Sequence, residues 1–231
     1  MGMWTKSLLI GGIAFAVLFK PQYWLVAAFF PMAMPSQPDL PSKPRSIANR
    51  YPSEILTSET FMKLTGKTSM PIGHYQYCKE YKEDCRRHAD IIEPTQLNHK
   101  RWRELVAVNQ VTNLTITSSS DQKMHGKSEV WSYPTTHGDS EDFALMKRDM
   151  LIKQGWPAAN LLMTVVRSKS CIPYAVLTVR TNLGEFVMAE NDDQIRHWTD
   201  VPYHFIKRQT SVHAGHWNDI DDKRRKVQYK C

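Results

Sequence analysis

The second half of the chain places one helix start ahead of three consecutive strand patterns. Residues 139–142 (DSED) suit the first turn of a helix, and Gly155 followed by Pro157 suits its end. Three apolar runs of strand length follow, at Leu161–Arg167, Tyr174–Arg180 and Glu185–Met188. The turn at 181–184 (TNLG) is typical of a hairpin between the last two. Helices followed by adjacent strands predict an α+β fold with an antiparallel sheet.

A second helical pattern occupies the middle of the chain. We expect it to begin at Pro94-Thr95 and to continue to Val111, because apolar residues recur there with a rough helical period. A further strand is expected near Tyr203–Arg208.

Residues 1–34 are the one strongly apolar region of the chain. Leu8–Phe19 carries no charge over twelve residues, Lys20-Pro21 interrupts it, and Tyr23–Met34 resumes it. The first run has the length of a signal-peptide core, although a convincing small-x-small cleavage site is missing. The two runs together could span a bilayer, where Lys20 would cost about 2.5–3.5 kcal/mol unless it reaches the interface. We favour an uncleaved anchor, with a cleaved signal as the alternative, and both send the folded domain across the membrane.

The remaining sequence divides into a linker, a domain and a tail. Prolines recur every three residues from Pro35 to Pro44, which favours an extended spacer over residues 35–52. We place the folded domain at 53–217 and a basic tail at 218–231, where five basic and two acidic residues lie between Asp221 and Cys231. The tail could contact an anionic partner or simply be solvated.

Composition excludes two classes of protein. The mean hydropathy of −0.46 excludes a polytopic membrane protein. The net charge of +7 is moderate, and basic and aromatic residues are not interleaved as in a nucleic-acid module, so we expect no nucleic-acid partner.

The chain contains four cysteines. Cys78 and Cys85 lie seven apart in a polar stretch that does not match a zinc site, and in an exported domain we expect them to form a local disulfide. Cys171 is interpreted as a thiol in a loop or at a strand edge, and the terminal Cys231 as a free thiol.

The helix start at 139–141 and the hairpin after it have the layout that thiol proteases use. Such enzymes place a cysteine at a helix N-terminus, where the dipole favours the thiolate, and a histidine and an orienting group on neighbouring strands. Over residues 61–217 the chain resembles the bacterial transglutaminase-like cysteine peptidases, periplasmic proteins that include a calcium-dependent protease that releases biofilm adhesins. The resemblance rests on an ordered set of short motifs, namely PIGH at 71–74, Cys78 and Cys85, WREL at 102–105, WSYP at 131–134, GDSED at 138–142, GWP at 155–157 and AVLTV at 175–179.

This resemblance implies a papain/transglutaminase-like domain with helices packed on an antiparallel sheet, preceded by the N-terminal hydrophobic helix. It also implies that the chemistry has been lost. The nucleophile position matches Ser140, the histidine matches Tyr174 and the aspartate matches Ala189. A serine needs a base, a phenol is a poor base at neutral pH, and an alanine can orient nothing. We therefore expect no catalytic residues at these degenerate positions.

A rebuilt site would need a substitute base or nucleophile. His137 lies three residues before Ser140, and His74, His88, His125 and His197 lie elsewhere in the chain. A lone histidine on a loop is more often an ordinary polar residue. Cys171 could be imagined as a displaced nucleophile, but it would sit on the wrong element, away from the helix dipole.

Acidic residues flank the nucleophile position and suggest a cation site. In the calcium-dependent relatives such residues bind Ca²⁺, and the resemblance assigns this role to Asp139 and Glu141, with Asp142 adjacent and Asp121 as a further ligand. The alternative is that the acids at 139–142 only cap the helix and complement its dipole.

Three functional hypotheses follow. The leading one is an inactive peptidase homologue, tethered to the periplasmic side of the bacterial inner membrane through residues 8–34, that binds protein or serves as an accessory subunit of a membrane assembly. The second is a hydrolase or acyl-transferase rebuilt on Ser140. The third is a structural domain stabilised by Ca²⁺; no cofactor is required by the first two.

Overall fold

The computed structural model describes residues 49–52, 60–88 and 92–224 of the 231. Its α-helices are α1 (Ile72–Glu80), α2 (His99–Thr115), α3 (Asp121–His125) and α4 (Ser140–Lys153). Its strands are β1 (Leu64–Thr68), β2 (Thr117–Ser118), β3 (His137–Gly138), β4 (Leu161–Arg167), β5 (Pro173–Thr181), β6 (Gly184–Met188), β7 (Arg196–His197), β8 (His204–Gln209) and β9 (Trp217–Ile220). Short 3₁₀ turns lie at Lys82–Cys85, Ala158–Asn160 and Trp198–Asp200.

One seven-stranded sheet organises the fold. Its strand order is β1-β9-β8-β4-β5-β6-β7, and every neighbouring pair is antiparallel. The α+β class with an antiparallel sheet is therefore confirmed. The β5–β6 hairpin closes at Gly184, whose φ of 114° a side chain would rarely adopt, so the glycine of the predicted turn is required there.

The predicted helix in the middle of the chain begins later than expected. Asn98 caps α2 by accepting a hydrogen bond from the Arg101 amide at 2.9 Å, so the helix starts at His99 and not at Pro94-Thr95. Thr95 instead forms a bridge with Thr181 at the end of β5. The local helical period did not reveal this long-range pairing.

The sheet has a core on each face because side chains alternate along a strand. Ala175, Leu177 and Val179 of β5 pack towards α2 and α4 in the larger cluster, which also contains Leu105 and Leu145. On the other face, Val176 joins a smaller cluster with the residues Met62, Val166, Val187, Trp198, Val201 and Phe205. Helix α4 is thus held against the middle of the sheet, and its N-terminus is placed beside the start of β5.

The described residues extend the ordered domain at both of its predicted ends. Asn49 lies in the predicted linker, yet its carbonyl accepts a hydrogen bond from Trp102 Nε1 at 2.8 Å. Strand β9 runs to Ile220, so the first residues assigned to the basic tail belong to the sheet. No helix in the described ranges is long and apolar enough to cross a bilayer. The predicted anchor at 1–34, most of the linker and Cys231 lie outside the described residues.

Candidate active site and metal site

Ser140 is the first residue of helix α4, as predicted. Its hydroxyl donates one hydrogen bond and accepts another. It donates to Glu141 Oε2 at 3.0 Å and accepts from the backbone amide of Ala175 in β5 at 3.0 Å. The side chain is buried. The hydroxyl therefore links the helix start to the strand that carries position 174.

The histidines considered as substitute bases lie elsewhere. Of the nine histidines, all within the described ranges, none forms a hydrogen bond with Ser140 Oγ. His137 is exposed and pairs with the Thr136 hydroxyl at 2.9 Å. His74 is buried between Trp217 and Gln209, and burial lowers its pKa to about 3. Neither is arranged to take a proton from Ser140.

Tyr174 and Ala189, which the resemblance places at the histidine and aspartate positions, pack with apolar residues. Ala189 is buried in the smaller hydrophobic cluster with Val166, Val187 and Trp198, and the partly buried Tyr174 packs against that cluster. Tyr174 also lines a cleft of about 60 Å³ beside Glu141, whose walls include Glu129, Trp131 and Ala175. That volume is far below the roughly 300–1,000 Å³ of typical small-molecule sites.

Cys171 does not provide a displaced nucleophile. No cysteine in the described part of the chain is a free thiol, so its interpretation as a thiol was wrong. Its backbone adopts a φ of 65° in the turn that precedes β5.

Lys147, which was not predicted as a site residue, supports the backbone at position 189. Lys147 of α4 is fully buried, and its ammonium donates to the Ala189 carbonyl at 2.7 Å. Burial lowers the Lys147 pKa to about 7. Glu129 and Trp131 in the cleft wall were also not predicted as site residues. No spacing signal marked Glu129, whereas Trp131 stood in one of the motifs of the resemblance.

Three of the predicted acidic residues meet in front of α4. Ligand oxygens of Asp121, Asp139 and Glu141 all lie within 4.8 Å of one another. Asp121 is the first residue of α3 and not part of an open loop, and Asp139 Oδ2 accepts its backbone amide at 3.3 Å. Asp139 stands at the N-cap position of α4, but its side chain makes no capping bond to the helix. The expected capping bond is therefore absent for Asp139, whereas the favourable interaction of these acids with the helix dipole stays a prediction.

Crowding and burial raise the proton affinity of this cluster. Burial is the largest cause of the raised pKa of Asp139 and Glu141, and the charge of Asp139 adds to the effect on Glu141. Asp121 Oδ1 and Asp139 Oδ1 are buried without a hydrogen-bond partner. Unsatisfied buried carboxylate oxygens are costly, and hard oxygen ligands at this spacing suit Ca²⁺.

Asp142, adjacent to the cluster in sequence, has a different role. One of its oxygens accepts a hydrogen bond from the Ser132 amide at 2.8 Å, which ties the 131–134 segment to α4. Burial raises its pKa to about 7. A Cβ on Gly138 would lie 2.8 Å from the Asp142 Cβ, so this close approach requires glycine.

A disulfide joins Cys78, near the end of α1, to Cys85 in the following 3₁₀ turn. It lies at a different corner of the domain, beside His74, whose ring nitrogens are 3.6 and 3.7 Å from Cys78 Sγ.

Comparison with known proteins identifies the family. A model of the bacterial transglutaminase-like cysteine proteinases matches residues 64–225. The chain belongs to this family. This assignment agrees with the helix-on-sheet architecture and with the position of Ser140 at the start of α4. No curated protein matches the chain.

Solved structures of LapG from Legionella pneumophila are similar to this family member. One is 22% identical, with a TM-score of 0.44 over 50% of this chain and 67% of LapG. A calcium-bound LapG is 18% identical, with a TM-score of 0.46 over 58% of this chain and 75% of LapG. An EGTA-treated LapG is 21% identical, with a TM-score of 0.44 over 52% and 71%.

Proposed function

We propose that this family member does not catalyse peptide cleavage and acts by binding protein. The observation that carries the proposal is the state of the Ser140 hydroxyl. It donates a hydrogen bond to Glu141 and accepts one from the Ala175 amide, while no described histidine bonds to it. A serine nucleophile of the triad type needs a histidine aligned with its proton, and that histidine in turn needs an orienting group.

The surroundings of positions 174 and 189 support the same conclusion. Both side chains pack with apolar residues, and a general base with its orienting carboxylate would have to be desolvated there. The small volume of the adjoining cleft leaves little room for a substrate side chain. The family framework is retained for its surface, on which a protein partner would bind.

We further propose that the domain is tethered to the periplasmic side of the inner membrane through residues 8–34 and serves a membrane-associated assembly. The apolar sequence before the proline-rich spacer supports this arrangement. Protease added to spheroplasts should digest the domain while the membrane is intact, and the domain should remain in the membrane fraction after a salt wash. Protection from the protease, or release as a shortened soluble protein, would contradict the tethered arrangement.

A serine-directed fluorophosphonate probe tests the loss of catalysis. We expect no labelling of the full-length protein beyond the level seen with the Ser140→Ala variant. Labelling that disappears in Ser140→Ala would establish a rebuilt nucleophile and overturn the proposal in favour of an active hydrolase or acyl-transferase.

A calcium ion is proposed as a structural component of this binding domain. Asp121, Asp139 and Glu141 supply hard oxygens from α3 and from the start of α4, and two of their buried oxygens accept no hydrogen bond. The ion would join these two elements and neutralise the crowded carboxylates. It would hold the segment that leads into α4 and needs no catalytic role.

A further inference from the structure

The Cys78–Cys85 disulfide forms part of the wall of a surface pocket. The pocket has a volume of about 360 Å³, and its lining includes both cysteines, the side chains of Lys79 and Lys82, and the rings of His213 and His216. Among the lining residues that the structure describes, none is acidic. This corner lies in α1, the following 3₁₀ turn and the β8–β9 connection, apart from the cleft beside Ser140.

Three of the basic side chains, those of Lys79, His213 and His216, are held beside the pocket by contacts of their own. The Lys79 ammonium lies over the Tyr75 ring, 4.4 Å from its centroid. His213 and His216 stack with ring centroids 3.9 Å apart, and His213 Nδ1 accepts the Gly215 amide at 3.0 Å. Lys79 and Lys82 bring positive charge to a pocket whose described lining contains no carboxylate, which favours an anionic ligand.

The two cysteine residues differ in burial. Cys78 is half-buried, whereas Cys85 is buried with an exposed fraction of 8%. Behind them His74 is fixed by hydrogen bonds from Trp217 Nε1 at 3.2 Å and Gln209 Nε2 at 3.1 Å. An incoming nucleophile would therefore reach Cys78 Sγ from the pocket, with Cys85 as the departing sulfur.

We propose that this pocket is a thiol–disulfide exchange site for an anionic thiol. The thiol loses its proton to water, and its thiolate attacks Cys78 Sγ. A new S–S bond forms between the ligand and Cys78 while the Cys78–Cys85 bond breaks. Cys85 leaves as a thiolate and takes a proton from water, so the step consumes one thiol and yields one mixed disulfide and one cysteine thiol. Lys79 and Lys82 attract the ligand's second, non-reacting negative charge.

Three small thiols of similar size but different charge test the proposal on the oxidised full-length protein. They are 2-mercaptoethanesulfonate (anionic), 2-mercaptoethanol (neutral) and cysteamine (cationic). Exchange is quenched by alkylation, and the mixed disulfide is located by peptide mass spectrometry. At low salt we expect the anionic thiol, per thiolate, to modify Cys78 about tenfold faster than the cationic one, with the neutral thiol between them. Added salt should reduce this difference.

The Lys79→Gln/Lys82→Gln variant should remove most of the charge preference. Lys67→Gln/Lys169→Gln is the matched control, because both lysines are exposed and lie outside the pocket. Equal rates for the three thiols, attachment to Cys85 in place of Cys78, or no exchange with any of them in the folded protein would each overturn the proposal.

Discussion

The acidic cluster near the start of α4 and the two positions on the β5–β6 hairpin where a base and its partner would stand differ sharply in chemistry. The acidic cluster of Asp121, Asp139 and Glu141 keeps charged groups within 4.8 Å of one another at a high electrostatic cost. Positions 174 and 189, which should complete the catalytic set, hold a tyrosine and an alanine within an apolar cluster. The proposed metal site and the catalytic positions depend on different elements, because the carboxylates lie on α3 and at the α4 N-terminus whereas positions 174 and 189 lie in β5 and directly after β6.

Restoring the three catalytic residue types at positions 140, 174 and 189 should give the largest effect. We expect the thiol of the Ser140→Cys/Tyr174→His/Ala189→Asp variant to react with iodoacetamide at pH 6.5 at least about tenfold faster than the thiol of Ser140→Cys alone, since a nearby histidine favours the thiolate. Alkylation rates measure this directly. If the two rates are equal, the surrounding structure as well as the three side chains has lost its catalytic arrangement.

Calcium should bind the acidic cluster and stabilise the folded domain. At a concentration 100 times its Kd, a ligand of the folded state adds about 2.7 kcal/mol to the free energy of unfolding. For a domain of this size that corresponds to a rise in Tm of about 5–10 °C. Calorimetry with Ca²⁺ and with EGTA measures it. Asp139→Asn/Glu141→Gln should abolish the rise, while Asp149→Asn, which changes a carboxylate that pairs with Lys153 farther along α4, should retain it. A rise that persists in the double variant places the ion elsewhere.

The calcium effect should also depend on pH. Burial raises the pKa values of Asp139 and Glu141, two of the proposed ligands, in the folded state. The stability that these protonated groups contribute is present below the ordinary carboxyl range near pH 4 and is lost as the pH rises through the raised values. Calcium offsets that loss, so its effect on Tm should be larger at pH 8 than at pH 5.5. A calcium effect that is independent of pH would indicate that these carboxylates are not the ligands.

Lys147 connects the two sides, since it extends from α4 to the backbone of Ala189. Its folded pKa of about 7 lies below the unfolded value, so its contribution is present at high pH and is lost as the pH falls through 7. At pH 9 we expect Lys147→Met to lower the free energy of unfolding by about 1–3 kcal/mol, because the Ala189 carbonyl loses its buried partner. Urea denaturation at pH 9 and at pH 6 measures the free energies of unfolding of the variant and the unsubstituted protein. The difference between the two proteins should be smaller at pH 6 than at pH 9. Equal differences at both would contradict the lowered pKa.

Ser140→Ala should have the smallest effect. It removes two hydrogen bonds and leaves the Ala175 amide unpaired, which we expect to cost about 1 kcal/mol in urea denaturation. Binding of a partner protein, once one is in hand, should be unchanged. A loss of binding without a loss of stability would show that the hydroxyl itself contacts the partner.

Much of the fold could be predicted from local pattern. Helix α4 begins at Ser140 and strand β4 spans Leu161–Arg167, both as expected, because caps and alternating apolar residues act over a few positions. Strands β1 and β9 were not predicted, since Gly66 and several polar residues conceal an apolar alternation there. The two strands are held together by pairing across more than 140 residues, which no local window can reveal.

The candidate site divides in the same way. The sequence by itself determined which residues stand at the helix start and on the hairpin, because those depend on short-range turn and capping chemistry. Only the tertiary structure decided which of these residues touch. It brings Asp121 close to Asp139, lets the Ala175 amide donate to the Ser140 hydroxyl, and buries Lys147 against the Ala189 carbonyl. These contacts depend on how α3, α4 and β5 pack, and packing is set by the long-range burial of the whole core and not by any one segment.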